Sequence, residues 1–145
     1  MPIAELNIAR LLHPIDDPRT AEFTDNLDRV NALAERSEGF VWRMKDDATG
    51  NATGIEVTDD PMMIANLSVW DSVEALERFV FRTVHSRFYA RRAAWFHRGA
   101  APDFVMWDVA PGHRPTMKEA LDRLSTLRAH GDGPAAFGWT ARAAI

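Results

Sequence analysis

Apolar residues in this chain recur at two spacings, and the two alternate in blocks along its 145 residues. Residues 3–12 (IAELNIARLL) read as an extended segment, with Leu6 and Ile8 two apart. Asp17-Pro18 supplies a helix N-cap and a proline suited to the first turn, and Phe23, Leu27, Val30 and Ala34 then recur at steps of three and four. That spacing predicts an amphipathic helix over 18–37, closed by Gly39. Residues 40–45 alternate again, with Phe40, Trp42 and Met44 facing one way and Val41, Arg43 and Lys45 the other. Residues 62–70 (MMIANLSVW) are the most apolar run and predict a central strand. Asp71 and Glu74 form a capping box for a helix striped by Leu76, Val80, Val84 and Phe88, continuing with or without a break to about His97. After Gly99 and Pro102, residues 103–109 predict a strand, Thr116 and Glu119 a second capping box for a helix over 117–130, and 135–142 a last short strand.

The order is β-α-β-β-α-β with an added α-β. It predicts an α+β domain of ferredoxin-like type, an antiparallel sheet with its helices on one face. No repeat or linker divides the chain, so residues 1–145 read as a single domain. Trp, Phe and Met are too numerous to leave the second sheet face wet, and a second copy of the chain is the simplest cover; a homodimer is expected. The polar stretch 46–60 reads as a mobile connection with at most a short strand near Ile55–Val57, and the residues leave open whether it closes over a pocket as a lid.

Composition removes several classes of function. With no cysteine there are no disulfides, thiolate nucleophiles or Cys-based metal sites, which points to the cytoplasm. No apolar stretch approaches the roughly 18 residues of a membrane span. Glu5, Asn7 and Arg10 are wrong for a secretory signal. A net charge of −4 offers no electrostatic reason to expect nucleic acid or an anionic membrane as partner. Fifteen of the 17 basic residues are arginine, which suits planar, stacked contacts but equally reflects a GC-rich genome. There is no Gly-rich phosphate loop, G-x-G-x-x-G, H-E-x-x-H or G-x-S-x-G, and His85, His97 and His113 lack ligand spacing, so no metal site is expected.

Three constellations remain, each with a structural and a functional reading. On a helix over 81–98, Phe81, His85, Phe88 and Arg92 share a face that Trp95 extends. Such a surface suits a planar, acidic or carbonyl-bearing small molecule, with His85 as general base or hydrogen-bond donor; alternatively His85 and Arg92 bond backbone or carboxylates at a helix–sheet contact. Period-two spacing places Asn66, Ser68 and Trp70 on one face of the central strand, with Arg43 on the neighbouring strand as a further polar intrusion. Either these groups satisfy one another or they line a cavity, since an unpaired buried amide costs about 1–3 kcal/mol. The third is Gly112-His113-Arg114-Pro115-Thr116, a turn before a helix start, where His113 either meets an anion or supports the turn with Glu119.

The runs Gly39-Phe40-Val41-Trp42-Arg43, Asn66-Leu67-Ser68-Val69-Trp70, Phe79-Val80-Phe81-Arg82-Thr83-Val84-His85, Arg92-Ala93-Ala94-Trp95-Phe96 and Gly112-His113-Arg114-Pro115-Thr116 resemble the DUF3291 family over about residues 4–140. The resemblance implies membership of the dimeric α+β barrel superfamily, related to the antibiotic-biosynthesis monooxygenases. The fold is implied with it; the activity is not. That superfamily suggests a cofactor-independent monooxygenase acting on an aromatic or polyketide-like substrate. His85, Asn66 and Arg43 would be the catalytic groups, and Ser68, Trp70, Phe81, Phe88, Arg92, Trp95, Trp107 and His113 would line the binding site. A non-catalytic ligand-binding dimer, an isomerase or cyclase, and a haem protein with His85 or His113 as axial ligand remain as alternatives; no cofactor motif is present.

Overall fold

The computed structural model describes residues 1–45, 62–82, 91, 94–97 and 103–139. Four strands, β1 (Ile3–Arg10), β2 (Phe40–Arg43), β3 (Met63–Trp70) and β4 (Phe104–Asp108), form one sheet in the order β2-β3-β1-β4, every pair antiparallel. Three helices, α1 (Ala21–Glu35), α2 (Val73–Arg82) and α3 (Met117–His130), complete the α+β ferredoxin-like fold predicted from the periodicities. The predicted central strand is indeed internal, lying between β2 and β1.

The helix starts follow the local chemistry. Asp17 Oδ1 accepts from the Arg19 backbone N–H at 2.8 Å, and a short 3-10 turn, Pro18–Thr20, precedes α1. The Arg19 side chain bonds the same carboxyl and holds it well below the usual carboxylate range. Thr116 Oγ1 accepts from the Glu119 N–H at 3.1 Å to cap α3, and Gly131, at φ +74°, ends it. At α2 the expected Asp71 cap is replaced by Ser72, whose Oγ accepts from the Ala75 N–H at 3.1 Å. The continuation of α2 over 83–90 lies outside the described residues. It does not reach His97 as a helix, because Phe96 pairs with Leu11 and the His97 N–H donates to the Arg10 carbonyl. Of the last predicted strand, over 135–142, the described residues up to 139 pair at Phe137, which exchanges both backbone hydrogen bonds with Met106 along the outer edge of β4, and at Ala136, which bridges Gly133.

Register sorts the sheet into two faces. Ile3, Trp70, Met106, Val30, Ala34, Ala75, Leu76, Phe79 and Val80 pack together, so α1 and α2 cover the face of Ile3, Glu5 and Asn7. Ala4, Leu6, Ile8, Leu67, Val69, Val105 and Trp107 form the other face, where Ala120, Leu124 and Leu127 of the appended α3 cover β1 and β4. The side chains of Leu6, Leu67 and Leu124 are almost wholly enclosed, and each such burial contributes about 2 kcal/mol. The β2–β3 half of that face carries Trp42, Met44, Met63 and Ala65, which are only half buried. Among the described residues no helix is long and apolar enough to cross a membrane.

One departure from simple alternation matters for the site. Phe40 lies across from Trp70 and Trp42 across from Val69, so Val41 is an extra residue in a β-bulge. The bulge puts Phe40 on the α1/α2 side and Trp42 and Met44 on the α3 side, in place of the shared facing expected of all three. Arg43, directly across from Ser68, then returns to the Phe40 side.

Candidate functional site

Two rows of side chains cross the α1/α2 face of the sheet. In the first, Arg43 on β2, Ser68 on β3, Glu5 on β1 and Met106 on β4 lie side by side. In the second, Asn66, Asn7 and Phe104 do so. Successive same-face residues on a strand stand roughly 6.6 Å apart, so the rows are neighbours.

The first row is buried and fully hydrogen-bonded at its centre. Trp70 Nε1–H donates to Ser68 Oγ at 2.9 Å, and Ser68 in turn donates to Glu5 Oε1 at 2.6 Å. Trp70, Ser68 and Glu5 are 1%, 5% and 4% exposed. Burial pushes the Glu5 carboxyl up to about 8, with the Ser68 hydrogen bond acting in the opposite sense. Trp70 is held by rings on both sides, Phe40 edge-on at 5.4 Å and Phe79 stacked at 5.2 Å. Arg43 is mostly enclosed and its guanidinium bonds Glu35, at the C-terminal end of α1, at 2.8 Å.

The second row is more open. Asn66 is exposed and Asn7 half buried. Beside Asn7, Phe104 stacks on Trp139 at 5.2 Å, and Trp139 meets Phe81 edge-on at 5.3 Å. At the far end of α1, Trp95 packs on Phe23 at 5.6 Å, and Phe96 meets Phe23 edge-on at 5.1 Å. Arg91 pairs with Glu22 and ties this segment to α1.

Of the residues singled out in the sequence, Arg43, Asn66, Ser68 and Trp70 stand together on one face, with Phe81 and Trp95 in aromatic clusters at its borders. His85, Phe88 and Arg92 lie outside the described residues. Trp107 and His113 are on the opposite side. Trp107 Nε1 donates to Glu119 Oε2 at 3.0 Å, and His113 Nε2 lies 2.7 Å from Glu119 Oε1. Glu119 thereby joins the indole and the imidazole on the α3 side of the sheet, the supporting role open to His113 from its sequence. Among the described residues no three His, Asp or Glu side chains gather so as to hold a metal ion.

Glu5, Asn7 and Trp139 were not singled out. Glu5 and Asn7 alternate with Leu6 and Ile8, the pattern of a strand with one wet face. Here that face is covered by helices, and only the coverage makes the polar phase informative. Trp139 stands alone near the end of the chain, with no periodicity to place it.

Solved structures from several organisms share this fold. SnoaB, a cofactor-independent oxygenase from Streptomyces nogalater, matches 75% of this chain and 93% of its own, with TM-score 0.50 and 15% identity. A conserved protein from Methanosarcina mazei Go1 matches 76% and 94%, with TM-score 0.52 and 10% identity. A candidate antibiotic biosynthesis monooxygenase from Nitrosomonas europaea matches 77% and 92%, with TM-score 0.51 and 15% identity. At these identities the likeness extends to the fold alone. No curated protein matches the chain. The family model described as "Domain of unknown function (DUF3291)" matches residues 2–144, nearly the whole length read as one α+β unit above, and the chain belongs to the DUF3291 family.

Proposed function

We propose that this chain is a small-molecule enzyme that oxygenates a planar, acidic aromatic or polyketide-like compound without a cofactor. The observation that carries this reading is the polar strip Arg43–Ser68–Glu5 beside Asn66–Asn7, on a sheet face that also carries the rings of Trp70, Phe40 and Phe104 and that α1 and α2 cover. Rings supply flat walls for an aromatic substrate, and amides supply donors for a carbonyl or an ionised oxygen. SnoaB, similar in fold, is a cofactor-independent oxygenase.

The chemistry needs little from the protein. An anthrone-type substrate loses a proton to a base, for which the sequence offers His85, and its carbanion passes an electron to dioxygen. Recombination forms a carbon–oxygen bond. Loss of water leaves a quinone, so that one O2 becomes one carbonyl oxygen and one water. Asn66 and Asn7 would hold the developing oxyanion. A second copy of the chain would cover Trp42, Met44 and Met63 on the half of the opposite face that α3 leaves open.

Oxygen uptake by the purified chain with anthrones and quinols tests the proposal. Turnover that Asn66→Ala and His85→Ala abolish without unfolding supports it. Saturable binding without uptake indicates a ligand-binding protein, and a Soret band in the purified chain indicates a haem protein. Sedimentation at micromolar concentration tests the dimer.

A further inference from the structure

Burial along the α1/α2 face of the sheet is uneven. The cross-strand pairs Ile3–Trp70 and Glu5–Ser68 are buried. In the next two pairs Asn7, Ala9 and Ile64 are only half buried and Asn66 is exposed. Leu11, which continues the alternation of β1 and pairs with Phe96, is fully enclosed again. The face is closed at both ends and open to solvent over the two rows between them.

Three rings border these open rows on the β4 side. Phe104 lies directly across from Asn7 and is half buried. Trp139 stacks on Phe104, with ring planes 11° apart and centroids 5.2 Å apart. Phe81, at the end of α2, meets Trp139 edge-on at 5.3 Å and is 45% exposed. Trp139 follows α3, and backbone bonds just before it hold it in place. Phe137 pairs with Met106 on the edge of β4, and the Gly138 N–H donates to Asp132 Oδ1 at 2.8 Å. Half-covered rings set beside accessible amides are the surface by which proteins grip flat, oxygen-bearing small molecules.

The row Asn66–Asn7–Phe104 crosses three neighbouring strands, β3, β1 and β4. Neighbouring strands stand about 4.8 Å apart, so its amide end and its ring end are separated by roughly 10 Å. That span matches the long axis of a linear tricyclic aromatic. Resting on the reading that this face binds an acidic aromatic compound, we propose that Trp139, stacked on Phe104, is the end wall that sets substrate length. The ionised oxygen of the substrate lies at Asn66 and Asn7, and its most distant ring meets Trp139. A bicyclic compound held at the amides falls short of the indole and loses that ring contact. A tetracyclic one runs into it.

The experiment uses the full chain and three acidic hydroxyquinones: lawsone, alizarin and 6-hydroxynaphthacene-5,12-quinone, which have two, three and four linearly fused rings. Their affinities are read from quenching of tryptophan fluorescence. The wild-type chain should bind alizarin at least tenfold more tightly than either of the others. Trp139→Ala should weaken alizarin about tenfold, the scale of one lost aromatic contact, and bring the three affinities within a few-fold of one another. Trp139→Phe should keep the preference for alizarin. If Trp139→Ala fails to fold, Phe81→Ala carries the comparison, since it removes the ring that meets Trp139 edge-on. A purely structural Trp139 would weaken all three compounds alike and leave their ratios unchanged. Equal wild-type affinities, or ratios that neither variant alters, overturn the role of Trp139; binding that Asn66→Ala still abolishes then leaves the site reading standing. No binding of any of the three to the wild-type chain overturns both.

Discussion

Phe40 and Arg43 stand on the same face of the sheet although an odd number of residue steps separates them, because Val41 occupies a bulge between them. Removing Val41 would leave Phe40 across from Trp70 and Arg43 across from Ser68 in a regular ladder. Val41 is 45% exposed, so little burial goes with it. Deletion of Val41 should therefore change stability by less than about 1 kcal/mol. One alanine inserted between Trp42 and Arg43 should instead turn Arg43 and Met44 to the wrong faces and cost about 2 kcal/mol or more. Urea unfolding of the two variants decides this.

Stability should depend on pH through Glu5. Its carboxyl titrates near 4.5 when unfolded and at about 8 when folded, so between those values the folded chain holds the extra proton. The contribution is full below about pH 4.5, declines as pH rises to about 8, and is flat beyond. Its span is at most about 5 kcal/mol. Glu5→Gln should erase that slope, and unfolding free energies of both chains at pH 5, 7 and 9 measure the difference.

Gly39 should tolerate no side chain. Its φ is +88°, and a Cβ there would stand 2.4 Å from the Ala75 Cβ on α2. Gly39→Ala combines a backbone cost of about 1–2 kcal/mol with a steric one. Adding Ala75→Gly should relieve the clash and leave the backbone cost. Thermal unfolding of the single and double variants separates the two.

On the α3 side, Glu119 serves the fully buried Trp107 and the exposed His113 unequally. Glu119→Ala leaves the Trp107 indole N–H without its acceptor and should cost about 1–3 kcal/mol. His113→Ala removes a surface contact and should cost under about 1 kcal/mol. A larger loss in His113→Ala than in Glu119→Ala would contradict this ordering.

Asn66→Leu tests the site apart from the fold. Asn66 is exposed, so the melting temperature should shift by no more than that of an ordinary surface change, within about 0.5 kcal/mol. Affinity for the anthrones and quinols of the oxygen-uptake test should fall at least tenfold. Calorimetry of the free chain and titration with these compounds read the two effects separately.

Local chemistry placed the helices and strands well. Asp17 and Thr116 carry their caps in short side chains that act within three residues, and the stripe of Phe23, Val30 and Ala34 needs only the helical period to face inward. The Asp71 cap was misplaced by one residue, since Ser72 competes for the same N–H groups. The grouping of Arg43, Ser68 and Trp70 was partly legible, because strand alternation puts Ser68 and Trp70 on one side. Arg43 joins them only through a bulge that no spacing rule foretells.

The order of elements, their periods and the polar phase of each strand are properties of neighbouring residues, and the chain's own sequence determined them. Which face α3 would cover, that Trp107 and His113 would part from Trp70, and that Glu5 would be enclosed beside Ser68 were decided by tertiary structure. Glu5 and Ser68 are 63 positions apart. Their hydrogen bond, and the desolvation that raises the Glu5 carboxyl, exist only once β1 and β3 pair and two helices close over them.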